Sequence, residues 1–171
     1  MRLFVAVLPP DAVLDRLAAV PPRPDRAGVR WTSRDQWHIT LRFLGELADA
    51  VELAERLRPV IAGLPAGRAV LGPAVELLNP RIVSVPVAGL DTIAVAVVDA
   101  TRDLGRPPED RPFRGHITVA RLKGLRSGAA RALTGASLEA RWDVTDVHIM
   151  QSRLSPHGAS YESVAAIRLS G

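Results

Sequence analysis

Hydrophobic and polar positions follow two rhythms along this chain. Arg2–Leu8 is a short apolar run closed by prolines, the mark of a buried strand. Gln36–Leu44 alternates with period two: Trp37, Ile39, Leu41 and Phe43 fall on one side, His38, Thr40 and Arg42 on the other. Strands are also predicted over Val29–Thr32, Val70–Leu78, Arg81–Val87, Phe113–Leu122, Ala140–Ser152 and Tyr161–Leu169. Asn79-Pro80 and Pro156-His157-Gly158 supply turns. Helical spacing predicts helices over Pro10–Val20, Asp49–Leu64, Leu90–Leu104 and, more weakly, Arg126–Leu133. In Asp49–Leu64, for example, Leu53, Leu57, Val60, Ile61 and Leu64 share one face. Pro21–Arg26 and Gly105–Pro112 read as loops. Strands and helices mixed with hairpins favour an α+β fold with antiparallel sheets over a doubly wound parallel sheet.

The chain has 171 residues, which suits one domain spanning 1–171. A chain of this length buries roughly two-thirds of its unfolded surface. Cysteine is absent, which excludes disulfides, thiolate zinc sites, iron–sulfur clusters and a cysteine nucleophile. The net charge is +4, yet the isoelectric point is 10.8, because every basic residue except Lys123 is Arg. Guanidinium suits phosphate, although a biased base composition produces the same excess. No apolar run approaches the roughly 20 residues of a membrane span. The expectation is a cytoplasmic monomer with no membrane association and no obligate protein partner.

One internal similarity changes the picture. Gln36-Trp37-His38-Ile39-Thr40-Leu41 and Arg114-Gly115-His116-Ile117-Thr118-Val119 share His-Ile-Thr-aliphatic in the same predicted strand context. The two histidines are 78 residues apart (116 − 38), so two related lobes would each supply one strand. Within each strand His and Thr share a face. A pseudo-twofold arrangement brings two imidazoles and two hydroxyls to one cleft. An imidazole titrates near neutral pH. One histidine can therefore take a proton from attacking water while the other protonates the departing oxygen of a phosphodiester. Thr40 and Thr118 can donate to the non-bridging oxygens. Neither metal nor cofactor is needed. A His-x-x-x-His pair and a dense carboxylate cluster are both lacking, so a metallohydrolase is disfavoured.

The two His-x-Thr motifs resemble those of the 2H phosphoesterases. The flanks are similar to the RNA 2′,3′-cyclic phosphodiesterase branch, also called the 2′–5′ RNA ligase family. The matching segments are Met1–Pro10, His38–Gly45, His116–Arg121 and Ser152–Gly158 followed by Tyr161. The resemblance implies a bilobal pseudo-twofold fold, with two antiparallel sheets flanking a central cleft and helices outside. It implies hydrolysis of an RNA terminal 2′,3′-cyclic phosphate, or of a 2′,3′-cyclic nucleotide, to a 2′-phosphate. His38 would be the proton donor and His116 the acceptor. Ligation is the reverse direction, with an RNA 5′-hydroxyl in place of water. Gly115 stands where the family usually has Pro, which leaves the catalytic assignment intact but loosens the local backbone.

The remaining candidates carry weaker signals. Phe43 and Arg121 each follow a motif histidine by five positions and could sandwich a base. The resemblance points the same way, but strict alternation puts an odd offset on the core side, so a bulge would have to turn both outward. Arg42 shares the His38 face and could meet phosphate. Tyr161 could touch ligand or pack in its strand. Arg111 and Arg114 could steer RNA. His148 reads as structural and His157 as a turn residue. Two other functions fit the motifs: an ADP-ribose 1″,2″-cyclic phosphodiesterase and a non-catalytic RNA-binding module.

Overall fold

The alternating and helical segments take shape in a computed structural model that describes residues 1–20 and 23–171. In chain order they are β1 (Arg2–Val7), α1 (Asp11–Ala18), β2 (Val29–Trp31), a 3₁₀ turn (Arg34–Gln36), β3 (Ile39–Glu46), α2 (Val51–Ala62), β4 (Gly67–Leu71) and β5 (Glu76–Asn79). There follow β6 (Ile82–Ala88), α3 (Asp91–Ala100), β7 (His116–Leu122), α4 (Ser127–Arg131), β8 (Ala140–Val144), β9 (Asp146–Ser155) and β10 (Gly158–Arg168). The predicted loop over Pro21–Arg26 lies partly outside the described residues, at Pro21 and Pro22. Among the described residues no helix is long and apolar enough to cross a membrane.

The strands are antiparallel and form one curled path, β10-β9-β1-β3-β7-β6-β4-β8, with β2 beside β7 and β5 beside β6. This path has two halves. One is β10-β9-β1-β3, covered by α2 and α3; the other is β7-β6-β4-β8, against which α1 and α4 pack. α2 turns Leu53, Leu57 and Ile61 inward at helical spacing, and α3 turns Ile93, Ala94 and Val97 inward. Where the halves meet, β3 and β7 share a single registered pair, Ile39 opposite Ile117. Both side chains are fully buried.

Two predicted strands are each split in two. Val70–Leu78 breaks between β4 and β5 at Gly72, whose φ of +114° and approach to the Leu138 carbonyl leave no room for a side chain. Ala140–Ser152 breaks at Thr145. β8 pairs with β4 in one half, and β9 pairs with β1 and β10 in the other, so the chain changes halves there. The predicted strand from Phe113 begins only at His116. The Arg34–Gln36 turn carries no apolar rhythm. It is closed by a capping box in which the Ser33 amide donates to Gln36 Oε1 at 3.1 Å.

The pairing of the halves predicts a thermal phenotype. Ile117→Ala removes a fully buried side chain at the seam and should cost about 2–5 kcal/mol. At this chain length that lowers the melting temperature by roughly 5–15 °C. A thermal melt showing a drop of less than about 2 °C would mean that the halves are held together elsewhere.

Candidate active site

His38 lies immediately before β3 and His116 opens β7, so the residue between His and Thr in each motif is a member of the Ile39–Ile117 pair. Antiparallel register about that pair sets His38 toward Thr118 and Thr40 toward His116, all on the face away from the core. The four residues line one recess of about 130 Å³ together with Arg30 and Arg121. The recess opens past His38, Thr40 and Tyr161 into a cleft of about 510 Å³, whose wall includes Phe4, Phe43 and Ser152.

Each imidazole is anchored through Nδ1. His38 Nδ1 is 2.7 Å from the Gln36 carbonyl, and His116 Nδ1 is 2.7 Å from the Arg114 carbonyl. A carbonyl oxygen only accepts, so Nδ1 carries the proton in both rings and the chemistry is left to Nε2. His38 Nε2 lies 3.1 Å from Thr40 Oγ. Gln36 fixes this arrangement twice over, because its Nε2 also donates to the Ala159 carbonyl across the cleft. Trp37 Nε1 donates to Thr32 Oγ at 2.9 Å, and Thr32 Oγ donates to the Thr118 carbonyl at 2.8 Å. That chain of bonds runs from the residue before His38 to the backbone of the second motif's threonine. The rings of Phe4 and Tyr161 pack on His38, each with its centroid 4.9 Å from the imidazole.

The parity conflict at Phe43 and Arg121 is resolved by two matching bulges. Thr40 is opposite Ala6 and Arg42 opposite Val5, so Leu41 is the extra residue in β3. Thr118 is opposite Ser84 and Ala120 opposite Val83, so Val119 is the extra residue in β7. Each bulge sits three positions after its histidine and inverts the alternation beyond it. Phe43 therefore packs beside Phe4 and Ala6 on the cleft side, and Arg121 reaches both the cleft and the recess.

The same inversion overturns the reading of Arg42. It is only 5% exposed, and its guanidinium donates to the carbonyls of Phe43, Leu104 and Arg106. Arg42 thus ties down the 104–106 segment and does not share the face of His38. The expected looseness at Gly115 is also corrected. A Cβ there would lie 2.3 Å from the Val87 carbonyl oxygen, and the Val87 amide donates to the Gly115 carbonyl at 2.8 Å. Glycine lets β7 start hard against β6. Tyr161 lies in the cleft. Arg111 and Arg114 stand on the loop leading to His116, Arg111 paired with Glu109. His148 bonds Ser163 Oγ at 2.9 Å on β9, and His157 is exposed in the β9–β10 turn.

Two cleft residues were missed by sequence reasoning, Arg2 and Arg30. Arg2 is two positions before Phe4 on the same strand face, a signal that has meaning only once β1 is known to lie beside β3. Arg30 sits directly opposite Arg121 in a strand of three residues, too short to show a pattern.

Electrostatics set the protonation states. Burial pushes the His38 imidazole down to about 4; the Gln36 carbonyl opposes the shift, and the charges of Arg121 and His116 add to it. Burial likewise lowers His116, opposed by the Arg114 carbonyl and helped by the charges of Arg114, Arg111 and Arg121. Both rings are neutral at pH 7 in the free protein. A site of this kind can bind an anion with hydroxyls and guanidiniums and can move protons at two Nε2 atoms.

The chain is similar in sequence and in fold to known phosphoesterases. A model of the LigT like phosphoesterase family matches residues 7–73 and 84–161. The chain is 31% identical to an RNA 2′,3′-cyclic phosphodiesterase of Thermus thermophilus, over 100% of this chain and 91% of that one. It is 29% identical to one of Archaeoglobus fulgidus, over 96% of this chain and 98% of that one. Its fold is similar to a crystal structure from Thermus thermophilus, with a TM-score of 0.77 at 26% identity, covering 100% of this chain and 99% of that one. It is also similar to E. coli LigT complexed with phosphate, with a TM-score of 0.73 at 25% identity, covering 99% and 98%.

The depressed imidazoles predict a pH-dependent stability. An unfolded imidazole takes up its proton near 6.5, whereas folded His38 does so only near 4. Between those values the unfolded state binds more protons, so stability falls as pH drops from 6.5 toward 4. The loss owed to His38 is on the order of 3 kcal/mol. Urea unfolding across this range should show a shallower decline in His38→Asn, and equal slopes in both proteins would refute the assignment.

Proposed function

The chain belongs to the LigT like phosphoesterase family, and on that premise we propose that it is a metal-independent phosphodiesterase opening the 2′,3′-cyclic phosphate at RNA ends or on cyclic nucleotides. The observation that carries the reading is the convergence of two Nδ1-anchored histidines and two threonines on one recess flanked by guanidiniums. The cyclic phosphate occupies the recess. His116 Nε2 takes a proton from water as its oxygen attacks phosphorus. The P–O3′ bond breaks on the opposite side, and His38 Nε2 returns a proton to O3′, leaving a 2′-phosphomonoester. Thr40 and Thr118 donate to the non-bridging oxygens, and Arg30 and Arg121 offset their charge. The nucleoside lies in the cleft on the His38 side, between Phe43, Tyr161 and Arg121. The same donor arrangement also suits the 1″,2″-cyclic phosphate of ADP-ribose, so turnover of both compounds is to be compared. The expected location is cytoplasmic.

Both imidazoles are neutral in the free protein at pH 7, so the acid takes up its proton from solvent as the anionic substrate binds. A bound anion beside His38 opposes the effects of burial and Arg121 and raises its pKa.

The pH profile tests this division of labour. kcat/KM reports the free protein, where His38 must be protonated and His116 neutral. Its optimum should lie below pH 6.5, and the kcat optimum, which reports the complex, should lie at higher pH. His38→Asn and His116→Asn should each slow turnover by roughly 10²–10⁴-fold. Turnover of cytidine 2′,3′-cyclic phosphate should persist in excess EDTA. Near-wild-type rates in either variant, or loss in EDTA restored by one divalent metal, would defeat the mechanism.

A second test concerns the base. Phe43→Ala should weaken binding by about 1–3 kcal/mol, read as a raised KM. Because Phe43 also packs on Phe4, the melting temperature should fall modestly as well. An unchanged KM with lowered stability would limit Phe43 to packing.

A further inference from the structure

Each motif threonine stands just before a bulge, and each has one residue directly opposite it on the neighbouring strand. Thr40 is opposite Ala6 of β1, and Thr118 is opposite Ser84 of β6. The two positions correspond in the two halves, and both side chains are fully buried. β6 turns Val83 and Val85 into the core. Ser84, between them, therefore shares the recess face with Thr118. Its neighbours on that face are Ile82, which lines the recess, and Pro86, which is opposite His116.

Ser84 Oγ is closed off from solvent, yet it has no hydrogen-bond partner among the described residues. At the corresponding position Ala6 fills the space with a methyl group alone. A buried hydroxyl without a partner costs stability, so packing does not account for serine here. Glu76 lies on the other side of Ser84, opposite it on β5, but accepts no bond from it. The two threonines differ as well. Thr40 Oγ is 3.1 Å from His38 Nε2, whereas among the described residues Thr118 Oγ makes no hydrogen bond, and only its carbonyl is engaged, by Thr32. The lobe with the unpaired threonine hydroxyl is the one with the unpaired serine hydroxyl beside it.

We propose that Ser84 is a positioning residue for Thr118: with phosphate bound, the Ser84 hydroxyl donates to Thr118 Oγ while the Thr118 hydroxyl donates to a non-bridging oxygen. The proposal rests on the two-histidine reading above. Cβ atoms of directly opposed residues are about 4.5–5.5 Å apart, so rotation about Cα–Cβ brings two hydroxyls into bonding range. Thr118 has one proton to give. It can go to phosphate or, as Thr40 does in its own motif, to the histidine two positions before. His116 Nε2 has a single lone pair, and attacking water needs it. A threonine held by Ser84 keeps its proton on phosphate and leaves that lone pair open. The chain Ser84–Thr118–phosphate also polarises the Thr118 hydroxyl, which strengthens its bond as charge grows on the phosphoryl oxygens.

The test is a double-mutant cycle of Ser84→Ala and Thr118→Val, read on hydrolysis of cytidine 2′,3′-cyclic phosphate. Ser84→Ala should lower kcat roughly three- to tenfold, the effect of one hydrogen bond, with KM changed less than twofold. Its melting temperature without ligand should hold or rise, because the hydroxyl removed had no partner. In the Thr118→Val protein there is no hydroxyl to position, so adding Ser84→Ala should change kcat less than twofold. A kcat that Ser84→Ala leaves unchanged, or a loss seen in KM alone, would overturn the proposal. So would an equal fall of kcat in both backgrounds, which would mean that Ser84 acts through another group such as Glu76. A melting temperature lowered by more than about 5 °C would make Ser84 a packing residue and overturn it too. If Thr118→Val itself keeps the wild-type kcat, the failure lies in the two-histidine reading, which loses its second donor, and the role of Ser84 falls with it.

Discussion

One backbone pairing governs the site: Ile39 opposite Ile117, the only registered pair between β3 and β7. Both side chains point into the core, where apolar burial fixes which face of each strand is inside. Once those faces are set, the residues on either side of each isoleucine must point the other way. Those residues are His38, Thr40, His116 and Thr118. A slip of one position in either strand would turn its histidine and threonine into the core and its isoleucine into water. The ladder also stops after one pair, so the strands diverge and the recess has room. The Trp37–Thr32–Thr118 hydrogen bonds then brace the divergence from the side, linking buried groups that would be costly to leave unpaired.

The bulges at Leu41 and Val119 are the second constraint, and they act only because the first is in place. The sheet needs aliphatic residues inward at Leu44 and Leu122, while the cleft takes an aromatic ring and a guanidinium five positions beyond each histidine. Uniform alternation cannot satisfy both; the extra residues Leu41 in β3 and Val119 in β7 do, and β3 takes a second extra residue at Leu44. The consequence is paid within β3 by Arg42, which is turned inward and must find carbonyl acceptors on the 104–106 segment. That anchoring also carries the Arg106 guanidinium over the Phe43 ring. A side chain that alternation assigned to phosphate thus serves the site indirectly, by holding a loop.

How much of this was legible follows from the range of each signal. The motif pair and its alternation lie within six residues and were readable, as were the helices whose apolar faces repeat every three or four positions. The bulges were not, because one extra residue leaves no local mark: Leu41 and Val119 are aliphatic either way. The break at Thr145 did leave a trace. Trp142 and Val144 fall on even positions and Val147 and Ile149 on odd ones, a phase slip consistent with the chain leaving one half for the other. Gly72 was likewise a visible break, since a glycine before proline interrupts a strand. Arg2 and Arg30 depended on which strands are neighbours, and Gly115 on how closely β7 starts against β6. Sequence spacing contains neither.

The electrostatics tie the seam to the chemistry. Burying two imidazoles beside Arg121 drives protons off both, so the resting site holds two neutral bases. The backbone carbonyls at Gln36 and Arg114 work in the opposite direction, since an anchored Nδ1–H stabilises the charged ring. The balance is therefore one that a single added negative charge can tip. A phosphodiester anion in the recess compensates Arg121 and favours a proton on the nearer ring. His38 is bonded to Thr40 and enclosed by Phe4 and Tyr161, and that burial holds its proton off until an opposite charge is present. On the two-histidine reading proposed above, the acid would exist chiefly when an anionic phosphorus centre is bound, while His116 would stay neutral. Asymmetry between two nearly identical motifs thus needs no difference in their sequences: it arises from what packs around each ring.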